Sequence, residues 1–417
     1  MKNPLLVLLC LCAFLGSAKA QIPIEDDWRE DVAYLGEELP KRHFNLFAKT
    51  SEREFRKELR RVAKQCRNCT KCELALSLEQ VVAGMGDTHT AIDFTRYLNR
   101  QRILPIGLSA FGDDYVLLST TPQYAMLLGW NLVAINQLPI KEVERKFCSL
   151  LTIDNVSNVR MLVPQLLSYG DLHLFLGTMT GDTASVMFEK DGQRETVSLS
   201  LGAYGSIFKM LQPKKIALCL RNRQLLFTES LIDNDSIYYV QYNKCWGREL
   251  EERYGNPQAA GQLPAFGDFE AKVLSTIRSG KMRKLVFDLR FNTGGSSAQF
   301  TGLVRKLVAE QSLRSDLKIY CVIGRSTFSS GILNALDLKL MMGACLLGEQ
   351  TAGKPNHFGE VRSFTLPKSG IEVRYSTKYF KMMEEDMPTL VPDVVMDLSV
   401  EDYVNGIDPV LEWVRKQ

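Results

Sequence analysis

Residues 284–354 alternate three short apolar runs with two segments of helical period, and a glycine-bearing loop closes each run. Runs 284–290, 317–323 and 344–347 are rich in Val, Ile, Leu and aromatics. Apolar runs of this length, bounded by glycine, read as buried strands. Between the first two, Phe300, Leu303, Val304, Leu307 and Val308 recur at helical spacing. Between the last two, Ile332, Leu333, Ala335, Leu336 and Leu340 do the same. The order β-α-β-α-β commits this part of the chain to an α/β fold. It also puts all three loops outside the carboxyl ends of the strands, where open α/β sheets form their sites.

The loops carry residues that can do chemistry there. Ser329 stands just before a helix, where unbonded N–H groups and the positive end of the helix dipole point outward. A serine so placed can act as a nucleophile whose oxyanion is held by the N–H of Ser330. Gly294 and Gly295 permit close backbone approach and can supply a second donor. Lys354 can serve as general base if burial or a neighbouring cation makes it neutral. Each residue also has a plainer use: Ser329 as a helix N-cap, the glycines as a turn, Lys354 as a solvated loop lysine.

Taken together, the segments Asp288-Leu-Arg-Phe-Asn-Thr-Gly-Gly295, Thr327-Phe-Ser-Ser330 and 348–354 resemble the tail-specific, or C-terminal processing, serine peptidases. The 25 positions from Ser329 to Lys354 equal that family's spacing of nucleophile and base. Pro392-Asp393-Val-Val and Gly406-Ile-Asp-Pro409 are similar to signatures of its branch containing tricorn and the interphotoreceptor retinoid-binding protein. The resemblance implies a ClpP/crotonase-like catalytic core, with Thr351 and His357 near the substrate and no cofactor. Two positions depart from it. Ile332 stands where many members have Glu, and Phe358 where some have Gln, so a Ser–Lys–Gln arrangement does not transfer whole. The tricorn branch uses a histidine instead, and Gly86-Asp-Thr-His-Thr90 matches its context, with His89 as base and Thr88 as a substrate-side hydroxyl. That branch also uses a Glu shortly before Pro-Asp; Glu384 and Glu385 lie there, and Glu385 is the candidate. The plainer reading of His89 is a residue near a capped helix end, and of His357 a solvated loop histidine. The lysine motif is the more complete of the two.

Residues 1–20 hold Lys2, an apolar stretch and Ser17-Ala-Lys-Ala20, the pattern of a secretory signal peptide. Export to the periplasm or outside the cell is therefore expected, and no later stretch reads as a transmembrane segment. Loss of Lys2 and Lys19 takes the formal charge from +3 to +1, which argues against a nucleic-acid partner. Cys66, Cys69 and Cys72 form a Cys-x-x-Cys-x-x-Cys run without a fourth ligand, read as a local disulfide with a spare thiol or as three buried thiols rather than a metal site. His43, His173 and His357 lack ligand spacing, so no metal is expected.

Four parts follow: a signal peptide at 1–20, a helical domain at 21–100, a β-rich module at 101–205 and a catalytic domain at 206–417. Ser51-Glu-Arg-Glu54 is a capping box ahead of Phe55, Leu59 and Val62 on one helix face. In the β-rich module Asp191-Gly192 signals a hairpin. The segment 128–136 is similar to part of a PDZ domain, with a helical insertion at 154–177. Residues 251–268 read as a loop near the site, and 364–376 as a hairpin. The expected function is an exported serine peptidase acting on protein or peptide substrates through an acyl-enzyme. The rival is a non-catalytic binding protein for a peptide or apolar ligand on the same scaffold.

Overall fold

The strand–helix alternation of residues 284–354 is the centre of the molecule. In the computed structural model, which describes residues 28–205, 207–310 and 317–417, strands Lys284–Asp288, Lys318–Ile323 and Cys345–Gly348 pair in parallel. Helices Ala298–Ala309 and Ser330–Met342 connect them. Val394–Val395, within the Pro-Asp signature, adds a parallel strand at one side. Ile237–Tyr242 adds one at the other, and Phe227–Ile232 closes that edge antiparallel. All of Ile237–Tyr242 is buried, as a strand covered on both faces requires. Alternate side chains feed two cores. Phe287, Cys321 and Leu346 pack with Phe300, Ile332 and Leu336 from the helices. Val286, Val322 and Leu347 pack with Val410 and Val414 of the last helix. The signal-peptide reading concerns residues outside those described.

Three helices, Arg29–Arg42, Glu52–Gln65 and Lys71–Ala83, form the N-terminal layer. Ser51 caps the second by accepting from the Glu54 N–H at 3.3 Å. The reciprocal capping box is found on the third, between Thr70 and Glu73. A β-rich sheet follows, in the order Ile106–Phe111, Asp114–Thr120, Asn131–Ile135, Thr183–Lys190, Gln193–Ser200. Asp191 and Gly192 turn its last hairpin with φ of 51° and 78°. Helices Ile140–Phe147, Val156–Leu166 and Gly170–Phe175 fill the interval before Thr183–Lys190. Cys66 is buried and Cys69 and Cys72 half-buried, all as free thiols.

Two expectations need correction. Residues 251–268 are not one open loop, since helices Arg248–Tyr254 and Pro257–Ala260 occupy much of it. The hairpin is longer than 364–376: strands His357–Thr365 and Glu372–Phe380 pair along their length, and the second also pairs with Ala91–Ile92. Phe364, Leu366, Ile371, Val373 and Tyr375 bury into the core of the N-terminal helices. Asp31 of the first helix accepts from the Lys368 and Ser369 N–H groups at the hairpin's tip, at 2.8 and 2.7 Å. A ribbon from the C-terminal half thus seats the His89 loop against the strand loops.

Candidate active site

Ser329 has φ 50° and ψ −124°, a conformation that side-chain-bearing residues rarely adopt. Such backbone costs about 1–3 kcal/mol and persists only where its surroundings enforce it. Here they do. Thr327, fully buried, donates from Oγ1 to the Leu289 carbonyl at 2.8 Å and accepts from the Gly324 N–H at 2.9 Å. The Phe328 N–H donates to the Asn292 carbonyl at 2.9 Å. A strained turn between strand and helix pushes its central side chain outward, the geometry of a nucleophile elbow. The Ser329 side chain makes no capping hydrogen bond, so the N-cap reading fails.

The glycines opposite are required by contact. Gly294 has φ 93°, and a Cβ there would fall 2.9 Å from the Ser329 Cβ and 3.2 Å from the Ser330 nitrogen. The Gly294 N–H, however, already donates to Asn292 Oδ1 at 2.9 Å, which removes it from the expected oxyanion donors. The N–H groups of Ser330 and Gly295 have no acceptor among the described residues.

Lys354 and His89 meet different surroundings. Lys354 lines a cavity of about 340 Å³ together with Thr88, His357, Asn356, Lys49 and Asp386. Its Nζ pairs with Asp386 Oδ2 at 2.6 Å and makes no hydrogen bond to Ser329. An ammonium held in that pair has no lone pair with which to accept a proton. The His89 ring lies between Phe328 and His357, with ring centres 4.7 and 5.3 Å away and planes inclined by 23° and 14°. Burial, reinforced by His357 and opposed by Asp87, lowers its pKa to about 4. At neutral pH it is uncharged. Both ring nitrogens are buried without a partner. Orphans of this kind are rare and call for an explanation.

Three further expectations are corrected. Thr351 is fully buried and its hydroxyl is spent on the Gly353 carbonyl and the Leu390 N–H, both at 2.9 Å, so it braces the loop and does not face a substrate. His357 is not solvated. It is buried, its Nδ1 faces the carbonyls of Lys354 and Pro355 at 2.9 and 3.0 Å, and its ring continues the stack onto Phe380. Neither glutamate reaches His89: Glu384 pairs with Lys381, and Glu385 meets Asn356 only through its carbonyl.

Two residues passed over in the sequence matter here. Asn155 caps helix Val156–Leu166. Its Nδ2 lies 3.1, 3.0 and 2.7 Å from the carbonyls of Thr351, Ala352 and Pro388, which ties the β-rich part to the Lys354 loop. Asp87, inside the quoted His89 motif, is a buried hydrogen-bonding centre. Its signal was present, since an acid next to a candidate base has an electrostatic use.

No protein-family model matches the chain, and no curated protein does. Among solved structures, mature CPAF complexed with lactacystin superposes with a TM-score of 0.62 at 12% identity, over 94% of this chain and 97% of that one. Mature CPAF alone gives 0.60 at 11% identity, over 94% and 96%. The photosystem II D1 C-terminal processing protease gives 0.42 at 14% identity, over 92% and 98%. At these identities the likeness to CPAF is one of fold.

Proposed function

We propose that the chain is a serine peptidase of the tail-specific type, working through an acyl-enzyme. The observation that carries this reading is the enforced backbone of Ser329, whose side chain is unspent at the start of a helix. The sequence motifs and the fold shared with CPAF support it. Ser329 Oγ attacks the peptide carbonyl carbon while His89 accepts the hydroxyl proton. The N–H groups of Ser330 and Gly295 hold the oxyanion. The C–N bond then breaks, the amine leaves with the proton from His89, and an ester on Ser329 remains. Water, deprotonated by His89, cleaves the ester and restores the hydroxyl. Lys354 keeps its ion pair and shapes the cavity wall. In this reading the six-stranded sheet is the ClpP/crotonase-like core, the β-rich sheet is the PDZ-like module, and the chain is exported to the periplasm or beyond. Among the described residues no helix is long and apolar enough to cross a membrane.

The test is an alkyl fluorophosphonate followed by mass mapping. Modification at Ser329, absent in Ser329→Ala, is expected; hydrolysis that persists in Ser329→Ala defeats the proposal. A cavity of about 510 Å³ between the β-rich sheet and the strand loops, lined by Phe111, Leu118, Phe291 and Met396, favours a second reading as a binder of apolar ligands. Saturable binding of an apolar fluorophore by protein that takes no fluorophosphonate would select it.

A further inference from the structure

Asp87 is 5% exposed and gathers hydrogen bonds from chain segments far apart in sequence. Its Oδ2 accepts from Thr90 Oγ1 at 2.5 Å, Ser376 Oγ at 2.6 Å and His43 Nε2 at 3.0 Å. Its Oδ1 accepts from the His89 N–H at 3.0 Å. The tautomer of His43 follows from its other nitrogen, since Nδ1 accepts from the Asn45 N–H at 3.0 Å and so Nε2 bears the hydrogen. His43 ends the first helix and Ser376 lies in the hairpin strand Glu372–Phe380. One carboxylate therefore joins the N-terminal layer, the His89 loop and the hairpin.

Burial opposes charge on this carboxylate, but the hydrogen bonds from His43, Ser376, Thr90 and the His89 N–H hold it well below the usual range. It remains an anion at working pH. His43 meets it as a neutral hydrogen-bond donor, because its Nδ1 already accepts from the Asn45 N–H. An enclosed anion is costly to build, and apolar residues would join the same three segments at less cost. The negative charge needs a use, and the nearby unpartnered group is the His89 ring.

We infer that Asp87 is a positioning residue for His89 and supplies the negative charge that the family resemblance assigned to Glu385. Its bond to the His89 N–H fixes where the ring enters the Phe328–His357 stack. When His89 takes the proton of Ser329, positive charge develops in a site shielded from water. An anion two residues away then stabilises it more than it could in solvent. The direction agrees with the upward push of Asp87 on His89 against burial.

The inference rests on His89 as proton acceptor, and the experiment separates the two. The rate of Ser329 phosphonylation by an alkyl fluorophosphonate is measured for the wild type, Asp87→Asn, His89→Gln and the double variant, with the melting temperature of each. Asp87→Asn keeps one oxygen to accept from the His89 N–H but removes the charge. Expected is a loss of tenfold or more in the wild-type background and less than twofold in His89→Gln, because residues that act as a unit are not additive. A purely structural role would give the same factor in both backgrounds and overturns the inference, as does a wild-type rate for Asp87→Asn. A wild-type rate for His89→Gln overturns the reading of His89 itself. If Asp87→Asn fails to fold, Ser376→Ala, which removes one hydrogen bond from Oδ2, runs through the same cycle and is held to the same inequality.

Discussion

Lys354 and His89 are the two proton carriers that the motifs offer. Lys354 ends a loop at a cavity wall and meets Asp386. His89 is enclosed between two rings with both nitrogens unpartnered. The lysine belongs to the more complete motif, yet its charge is committed. The histidine belongs to the shorter motif, yet it is neutral and unbonded at the side of the elbow loop. A proton acceptor is decided by what surrounds it, and motif length measures something else.

A choice between the two carriers has meaning only if Ser329 is the nucleophile, and the largest expected effect tests that premise. Ser329→Ala should lower turnover by about 10⁴-fold or more while leaving the melting temperature in place. Full activity in that variant would remove the reason to compare the two carriers. Next comes Gly294→Ala, which puts a methyl 2.9 Å from the Ser329 Cβ at a backbone φ of 93°. Phosphonylation should fall about 100-fold, in line with the cost of a misplacement near 1 Å, and the urea midpoint should drop with it. An unaltered rate would mean that the elbow tolerates movement and that its strain is not needed.

Acidity sharpens the contrast, because the His89 scheme needs a neutral ring. With a pKa of about 4 in the folded enzyme, activity should hold from neutrality down to mildly acid pH and fall about tenfold per unit below pH 4. Stability responds earlier. His89 and His173 are both buried with pKa values of about 4, against 6.5 as their unperturbed value. The unfolded chain therefore binds more protons over that interval. The stability due to neutral burial is complete above pH 6.5 and is lost as pH falls towards 4, by about 1.4 kcal/mol per unit for each histidine. Urea midpoints measured from pH 7 to pH 4.5 should decline, and a flat profile would show that these rings are not buried neutral. The smallest effect concerns the lysine side. Asn155→Ala removes a helix cap and the contacts to the Thr351, Ala352 and Pro388 carbonyls. It should cost about 1–2 kcal/mol in chemical denaturation and change turnover little.

Local pattern made the β-α-β-α-β order legible, since strand and helix periods repeat within a few residues. The same locality exposed Ser329, which stands between a strand signal and a helix signal. What escaped was contact across long separations. The pairing of Ala91–Ile92 with Glu372–Phe380 depends on register and burial that no periodicity in either segment announces. Thr351 and Glu385 were placed by motif position alone, and a motif does not say whether a hydroxyl turns inward or a carboxylate outward. Asp87 was visible but unweighted, because its partners His43 and Ser376 are far away in sequence. The Gly294 N–H was misjudged for a related reason: Asn292, two residues earlier, reaches it first.

The central claim is that His89, and not Lys354, takes the proton of Ser329. It is tested most directly by the fluorophosphonate rate at Ser329 in Lys354→Arg and His89→Gln, measured side by side at neutral pH. Arginine preserves the cation facing Asp386 but cannot act as a base. Lys354→Arg should stay within about tenfold of the wild type, and His89→Gln should fall by about 10³-fold. The opposite pattern, with the arginine variant inert and the glutamine variant near normal, would contradict it.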